Sequence, residues 1–394
     1  MTAGYAAYAQ PSAREMRRQV PTSRSGGSPF GVYVHIPFCR ERCDYCAFAT
    51  YSDRDHLMRS YVEACVEEIE RAYGSGDLPP ASSVFFGGGT PSRLPPEDLV
   101  TILRAIPLKE GAEVTVECNP EDAQIERLSV YASAGVTRMS FGVESTLEHV
   151  LATLGRTSSA SERADETGGS VPEMLADDVR QVGFKSWNLD LIYGAASETH
   201  EDWHDVLVGV VSMSCPPPHL SLYALTVELG TPLASDPSRY PDDDVQAERY
   251  EYASAFLSAH GYVWEEISNW ALPGHACRHN DLYWSQGNYL GVGSGAHSHV
   301  DGRRWWNMRT PERYIRAIKT GSSPVAGEET LSEAEREFEE LALSLRTRRG
   351  VPESALPTAP ADLVLREGGR AVLNVRGRLV ANDLTARLVT GAAL

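Results

Sequence analysis

The chain has 394 residues, 42% hydrophobic and 23% charged, with a formal net charge of -18. That length exceeds what one hydrophobic core usually serves and predicts two domains, while the acidic balance argues against broad phosphate-backbone binding, so no nucleic-acid partner is expected. No apolar run approaches the roughly 18 residues that span a bilayer, and seven cysteines, an odd number without a secretory signal, argue for a soluble protein of a reducing, cytoplasmic compartment rather than a disulfide scaffold.

In chain order, residues 1–29 are rich in Ala, Ser, Gly and Arg without periodicity and are expected to be a disordered leader. Glu15 and the lack of a cleavage pattern count against a targeting peptide. From Val32 short apolar runs alternate with helical patterns. Strands are predicted over 32–36, 83–86, 113–117, 137–141, 187–192 and 219–225. A helix is predicted over 55–73, where Leu57, Tyr61, Cys65 and Ile69 recur every four residues. Helices near 97–106, 123–134, 147–154 with 172–182, 199–212 and 244–260 complete six strand–helix units. Such a succession implies parallel strands joined by right-handed crossovers. A doubly wound sheet would suit six units, but motifs recur at the strand ends on one implied face. The expected fold is therefore α/β, an open six-unit (β/α) partial TIM barrel over 30–261. Ser158–Pro172 is polar and small and is expected to be an exposed insertion. In 262–394 a helix over 332–346, with Phe338, Leu341 and Leu345 on one side, and strand-like RAVLNV and RGRLVAN predict a small α/β, winged-helix-like domain.

Cys39, Cys43 and Cys46 lie in YVHIPFCRERCDYCAF, directly after the first strand. Three thiolates hold a cubane 4Fe-4S cluster by three corners and leave one iron open to another ligand. A zinc site is the competing reading, and no fourth thiol or histidine lies at zinc-site spacing. The CxxxCxxC spacing resembles the signature of the radical S-adenosylmethionine enzymes. In that family the open iron chelates the methionyl amino and carboxylate groups, and an electron from the cluster cleaves the sulfonium. Later strand ends fit one cofactor site at the barrel mouth. Gly87, Gly88 and Gly89, before Thr90, permit close backbone approach. Glu117 in TVECNP offers a hydrogen-bond acceptor or, alternatively, caps the turn before Pro120. RMSFGVES presents Arg138, Ser140 and Glu144; NLDLIYG presents Asn188, Asp190 and Tyr193. Charged groups facing a barrel interior need partners, which favours ligand contacts.

Over nearly all of 30–394 the chain resembles the oxygen-independent coproporphyrinogen oxidase-like radical enzymes, and within them the HemW heme-chaperone branch. The pieces that carry the resemblance are YVHIPFCRERCDYC, GGGTPS, ECNPE, RMSFGVES, LIYG, SLYALTVELGTPL, VWEEISNWALPGHACRHNDLYW and GVGSGAH. It implies adenosylmethionine contacts at Tyr33, Tyr45, Gly89, Thr90, Glu117, Glu144, Arg156, Asp190 and Ala224, with Gly87 and Gly88 shaping the methionyl site. Asp190 and Arg156 match the lining where a second cofactor molecule lies in the dehydrogenases. Those enzymes carry a fourth cysteine where Phe48 stands here, whereas the HNxxYW signature of the chaperone branch is present as His279, Asn280, Tyr283 and Trp284. Composition alone makes His279 a hydrogen-bonded histidine; the resemblance makes it a candidate heme ligand, with Tyr283 and Trp284 stacking on the porphyrin. Two departures are Glu144, where the family usually has glutamine, and Thr157–Ser158, where a histidine commonly follows the arginine. The implied function is heme binding and transfer, without efficient conversion of coproporphyrinogen III. The implied partners are heme, an apo-hemoprotein recipient, an electron donor and, through the recipient complex, a peripheral membrane association. An oxygen-independent coproporphyrinogen III oxidase and a radical methyltransferase or cyclopropanase are the alternatives.

Overall fold

The computed structural model describes residues 28–156 and 169–389. Nearly all of the expected leader and most of the expected 158–172 insertion lie outside the described residues. Strands β1 (Phe30–Ile36), β2 (Ala81–Gly88), β3 (Leu108–Cys118), β4 (Arg138–Glu144), β5 (Ser186–Tyr193) and β6 (His219–Ala224) stand side by side in chain order and are all parallel. Between and after them run α1 (Met58–Gly74), α2 (Pro96–Ala105), α3 (Ile125–Ser133), α4 (Glu148–Thr153), α5 (Val171–Val182), α6 (His200–Val211) and α7 (Asp243–Ala259). All six expected units are present. Along β1, Val32, Val34 and Ile36 are fully buried and share one core with Tyr61, Cys65 and Ile69 of α1, while Tyr33 and His35 alternate to the inner side and line a cavity. Local chemistry sets the helix ends. Ser170 with Glu173 and Thr199 with Asp202 form capping boxes at the starts of α5 and α6, and α5 stops at Gly183 in the left-handed region (φ 84°).

The strand–helix repeat ends after α7, but the sheet does not. β8 (Asn269–Ala271) pairs antiparallel with β6, and β7 (Val263–Glu266) pairs antiparallel with β8 at the sheet edge. After α8 (Arg278–Trp284), β9 (Asn288–Val292) pairs in parallel with the free edge of β1 and carries the antiparallel run β10 (His297–Val300), β11 (Arg303–Asn307) and β12 (Val325–Thr330), with α9 (Pro311–Lys319) between the last two. The result is a 12-stranded sheet with β1 near its middle. Beyond it, α10 (Glu333–Leu345) packs with a three-stranded sheet, β13 (Val351–Pro352), β14 (Val364–Glu367) and β15 (Arg370–Leu373), and with α11 (Val375–Leu379) and α12 (Ala381–Thr385). Leu345, Val351, Leu356, Val364, Leu373 and Leu384 form a second, smaller core.

Two expectations for this region are corrected. RGRLVAN is helical, because the Asn374 side chain accepts from Gly377 N at 2.9 Å and caps a helix where a strand was predicted. On α10, Leu345 is buried but Phe338 is 42% exposed, so the apolar stripe does not extend to it.

Glu68 of α1 fastens the added strands to the barrel. Its carboxylate accepts from Gly293 N at 2.9 Å, Asn307 Nδ2 at 2.7 Å and Tyr314 OH at 2.6 Å. Enclosure pushes its pKa from 4.5 up to about 7, against the opposing effect of those donors. Stability from this group is therefore full below 4.5 and is lost as pH rises through about 7. Glu68→Ala, which leaves three donors without an acceptor, is expected to cost about 2 kcal/mol or more. Glu68→Gln should reduce the decline in stability across that pH window. Anaerobic urea denaturation at stepped pH checks both, and an unchanged slope in the Gln variant would count against the assignment.

Candidate functional site

β1 delivers its chain end into a pinched loop. Phe38 is fully buried, edge-to-face with Tyr61 at 5.3 Å, and bridges in parallel to Tyr51. Cys39 N donates to Tyr51 O at 3.1 Å and Tyr51 N to Pro37 O at 2.8 Å, which closes the neck. Farther out, Asp44 N donates to Leu154 O at 3.2 Å, Asp44 O accepts from Leu233 N at 3.0 Å, and the Asp44 carboxylate pairs with Arg239 at 2.8 Å. The loop is thereby tied to both the fourth and sixth units. Cys39 is buried and Cys43 and Cys46 are half-buried. Thr90 Oγ1 donates to Cys39 Sγ at 3.7 Å and Arg156 Nη1 to Cys43 Sγ at 3.8 Å. Burial pushes the Cys39 thiol up to about 11 and raises that of Cys43, so both are protonated until a metal displaces the proton. Among the described residues no three His, Cys, Asp or Glu side chains converge on a single ion. Three thiols on one loop, with donors aimed at two sulfurs, suit a multi-iron group held by thiolates.

The glycine run lies against this loop. Gly89 N donates to Ile36 O at 2.8 Å and Thr90 N to Phe38 O at 2.8 Å. A Cβ on Gly89 would stand 2.9 Å from both Ile36 O and Phe38 O and 3.0 Å from Cys39 Sγ. Gly88 has φ 111° and a Cβ there would meet the His35 ring at 2.4 Å. The glycines are thus required by the protein's own close packing, whatever else approaches them.

Inside the barrel three carboxylates face one space. Glu117 accepts from Gly88 N at 3.2 Å; burial, reinforced by Asp190, pushes its pKa up to about 8. Asp190 accepts from Ser140 Oγ at 3.1 Å and Asn188 Nδ2 at 2.9 Å, and burial raises it too. Glu144 sits past a register shift at the end of β4 with φ 58°, an uncommon conformation for a residue with a side chain. Its carboxylate meets Arg156 Nε at 2.7 Å and Tyr45 OH at 3.2 Å, and burial still pushes it up to about 7. Tyr33 OH lies 3.0 Å from His35 Nδ1, and Ala224 ends β6, exposed. This interior is short of positive charge and would welcome a cationic ligand.

Other candidates lie elsewhere. Tyr193 points to the helical layer against Trp203, ring centroids 5.6 Å apart. Arg138, at the start of β4, is held by Ser186 Oγ and His275 O at 3.0 Å each. His279 is fully buried, with Nδ1 2.9 Å from Ser83 Oγ, Nε2 2.8 Å from Tyr283 OH and its ring stacked on Phe85. It plugs the strand starts beside Gly31, at the opposite end of β1 from the strand end that leads into the cysteine loop. Both ring nitrogens of His279 are thus within hydrogen-bond distance of the protein's own groups, as the reading of it as a hydrogen-bonded histidine expects. Tyr283 and Trp284 do line a cavity, one of about 350 Å³ shared with Tyr223 and Glu266. A larger cavity of about 990 Å³ runs from Tyr33, His35 and Phe48 to the β10–β11 hairpin. Sequence reasoning missed His35 and this second wall, although His297 closes the GVGSGAH stretch.

Gly89→Ala is expected to displace Cys39 and lower iron and sulfide content after anaerobic reconstitution, while Gly74→Ala, which has nothing within 4 Å of the added methyl, leaves it unchanged. Equal metal content in both variants would contradict the role of the Gly89 contact.

The model of the Radical SAM superfamily matches residues 33–207. The heme chaperone HemW of Mycobacterium tuberculosis is 39% identical over 94% of this chain and 99% of its own length. The heme chaperone HemW of Escherichia coli is 35% identical over 73% of this chain and 76% of that protein. In fold, coproporphyrinogen III oxidase (HemN) from Escherichia coli superposes with a TM-score of 0.77 at 21% identity, covering 91% of this chain and 89% of that one. With its partial barrel, its mouth-side cysteine loop and this match along almost the whole chain, the protein belongs to the HemW family of radical SAM proteins.

Proposed function

We propose that this protein is a cytoplasmic heme chaperone that binds a 4Fe-4S cluster through Cys39, Cys43 and Cys46, adenosylmethionine at the barrel mouth, and heme for transfer to an apo-hemoprotein. The observation that carries this reading is the three-thiol loop standing over an acidic interior, in a chain that matches a heme chaperone along nearly its full length. When bound, the cluster supplies an electron for cleaving the sulfonium. The chain's own part is positional. Thr90 and Arg156 donate to two sulfurs. Glu117 and Asp190 meet the cationic end of the cofactor, and Tyr45 with Arg156 holds Glu144 in register. Residues 30–261 are the radical core, and 262–394 supply the walls on the heme side. Phe48, where the dehydrogenases carry a cysteine, favours the chaperone over the oxidase.

A cationic ligand stabilises ionised Glu117, whose pKa without it is about 8, so affinity for adenosylmethionine should rise from neutral pH towards that value, and Glu117→Gln should both weaken binding and remove the rise. Calorimetry on reconstituted protein measures this, and a pH-independent affinity in the wild type would contradict it. In parallel, the reconstituted protein should bind heme and pass it to an apo-hemoprotein while leaving coproporphyrinogen III unconverted. Robust formation of protoporphyrinogen IX would establish the oxidase instead.

A further inference from the structure

With His279 sealed in the core, the heme-handling reading lacks an iron ligand. The 990 Å³ cavity lies at the upper end of the roughly 300–1,000 Å³ range of small-molecule sites, and three histidines line it: His35, His297 and His299. Two are already engaged at both nitrogens. His35 faces Tyr33 OH and Ala49 O. His299 has Nδ1 2.9 Å from Gly287 O, and its Nε2 accepts from Gly302 N at 3.2 Å. His297 is exposed, and neither of its nitrogens has a hydrogen-bond partner among the described residues. Its orientation is nevertheless fixed, because it stands opposite Trp306 in the β10–β11 register with the two rings stacked at 5.8 Å.

The rest of the enclosure has a matching chemistry. Arg304 is neutralised by Glu329 and Glu339. Arg309 and Arg313 also line the cavity, and neither has a carboxylate partner among the described residues; the guanidinium of Arg309 donates only to Ala47 O, at 3.5 Å. Two unpaired guanidinium groups in a chain of net charge -18 mark a site for a ligand with two acidic groups. Phe48, 68% exposed, also lines the cavity, an apolar ring left open to solvent next to the cysteine loop.

We propose that this cavity seats the heme, with His297 as axial ligand to the iron, Arg309 and Arg313 meeting the two propionates, and Phe48 and Trp306 against the macrocycle. The proposal rests on the heme-chaperone reading above. It moves the ligand from the HNDLYW motif to the β10–β11 hairpin and puts the cargo against the arm of the loop that follows Cys46.

The test titrates hemin into the anaerobically reconstituted full chain, reading stoichiometry and the axial-ligand absorption spectrum. Wild type should bind one heme. His297→Ala, a substitution at an exposed position, should change the axial-ligand spectrum, weaken binding by about tenfold or more and be rescued by added imidazole, with iron and sulfide content unchanged. Arg309→Ala with Arg313→Ala should weaken hemin binding but not binding of hemin dimethyl ester, which lacks the carboxylates. Wild-type spectrum and affinity in the His297→Ala protein would overturn the site while leaving the chaperone reading standing. Failure of the wild type to bind hemin would overturn that reading itself.

Discussion

The ends of β1 and β2 meet at van der Waals limit, and the site depends on that closeness. Gly89 lies so near the carbonyls of Ile36 and Phe38 that two backbone hydrogen bonds of 2.8 Å form between the connections, and the space a methyl would need is filled by the Cys39 sulfur. Because the neck of the loop is hydrogen-bonded on the other side to Tyr51, the first thiol is fixed by backbone on two sides and by Thr90 at its sulfur. Cys43 takes its place through a different unit, by way of Arg156. A loop held at several points by main-chain groups loses little further entropy when it takes up a ligand, which is the physical advantage of building it this way.

Charge is sorted across the molecule. The barrel interior holds Glu117, Glu144 and Asp190, all raised by burial, and Arg156 alone offsets Glu144 at 2.7 Å. On the β10–β11 side the balance reverses, with Arg304, Arg309 and Arg313 around a single carboxylate, Glu339, in the cavity wall. A sulfonium and an anionic tetrapyrrole would each meet its opposite charge, in adjoining spaces that share Tyr33. The Glu144 departure follows the same logic. A carboxylate in this position would be costly alone, but its pairing with a buried guanidinium makes it tolerable.

The added strands explain how an open barrel acquires a second wall. β9 covers the free edge of β1, and Glu68 collects donors from the turn after β9, the end of β11 and α9. An uncovered edge of this length would invite pairing with other chains. Covering it with the chain's own strands both protects the sheet and creates the cavity between the hairpin and the cysteine loop.

The six strand–helix units were legible because each carries its own periodic signal: Leu57, Tyr61, Cys65 and Ile69 repeat at helical spacing, and the strands are short apolar runs. The cysteine triad and the glycine run were legible because their chemistry is encoded by spacing. The β9–β12 extension was not, since strands such as HSHV and RRWWN carry no clean apolar alternation and join the sheet only through β9, whose partner β1 is remote in sequence. Nor could spacing tell that Tyr193 and His279 face away from the mouth, because that depends on strand parity and on what packs above Gly31. Sequence by itself determined the α/β class, the order of units and the loop that carries the thiols. Tertiary structure decided which histidine keeps a free nitrogen and which arginines lack a carboxylate partner among the described residues, because hydrogen-bond and ion-pair satisfaction belong to contacts between segments.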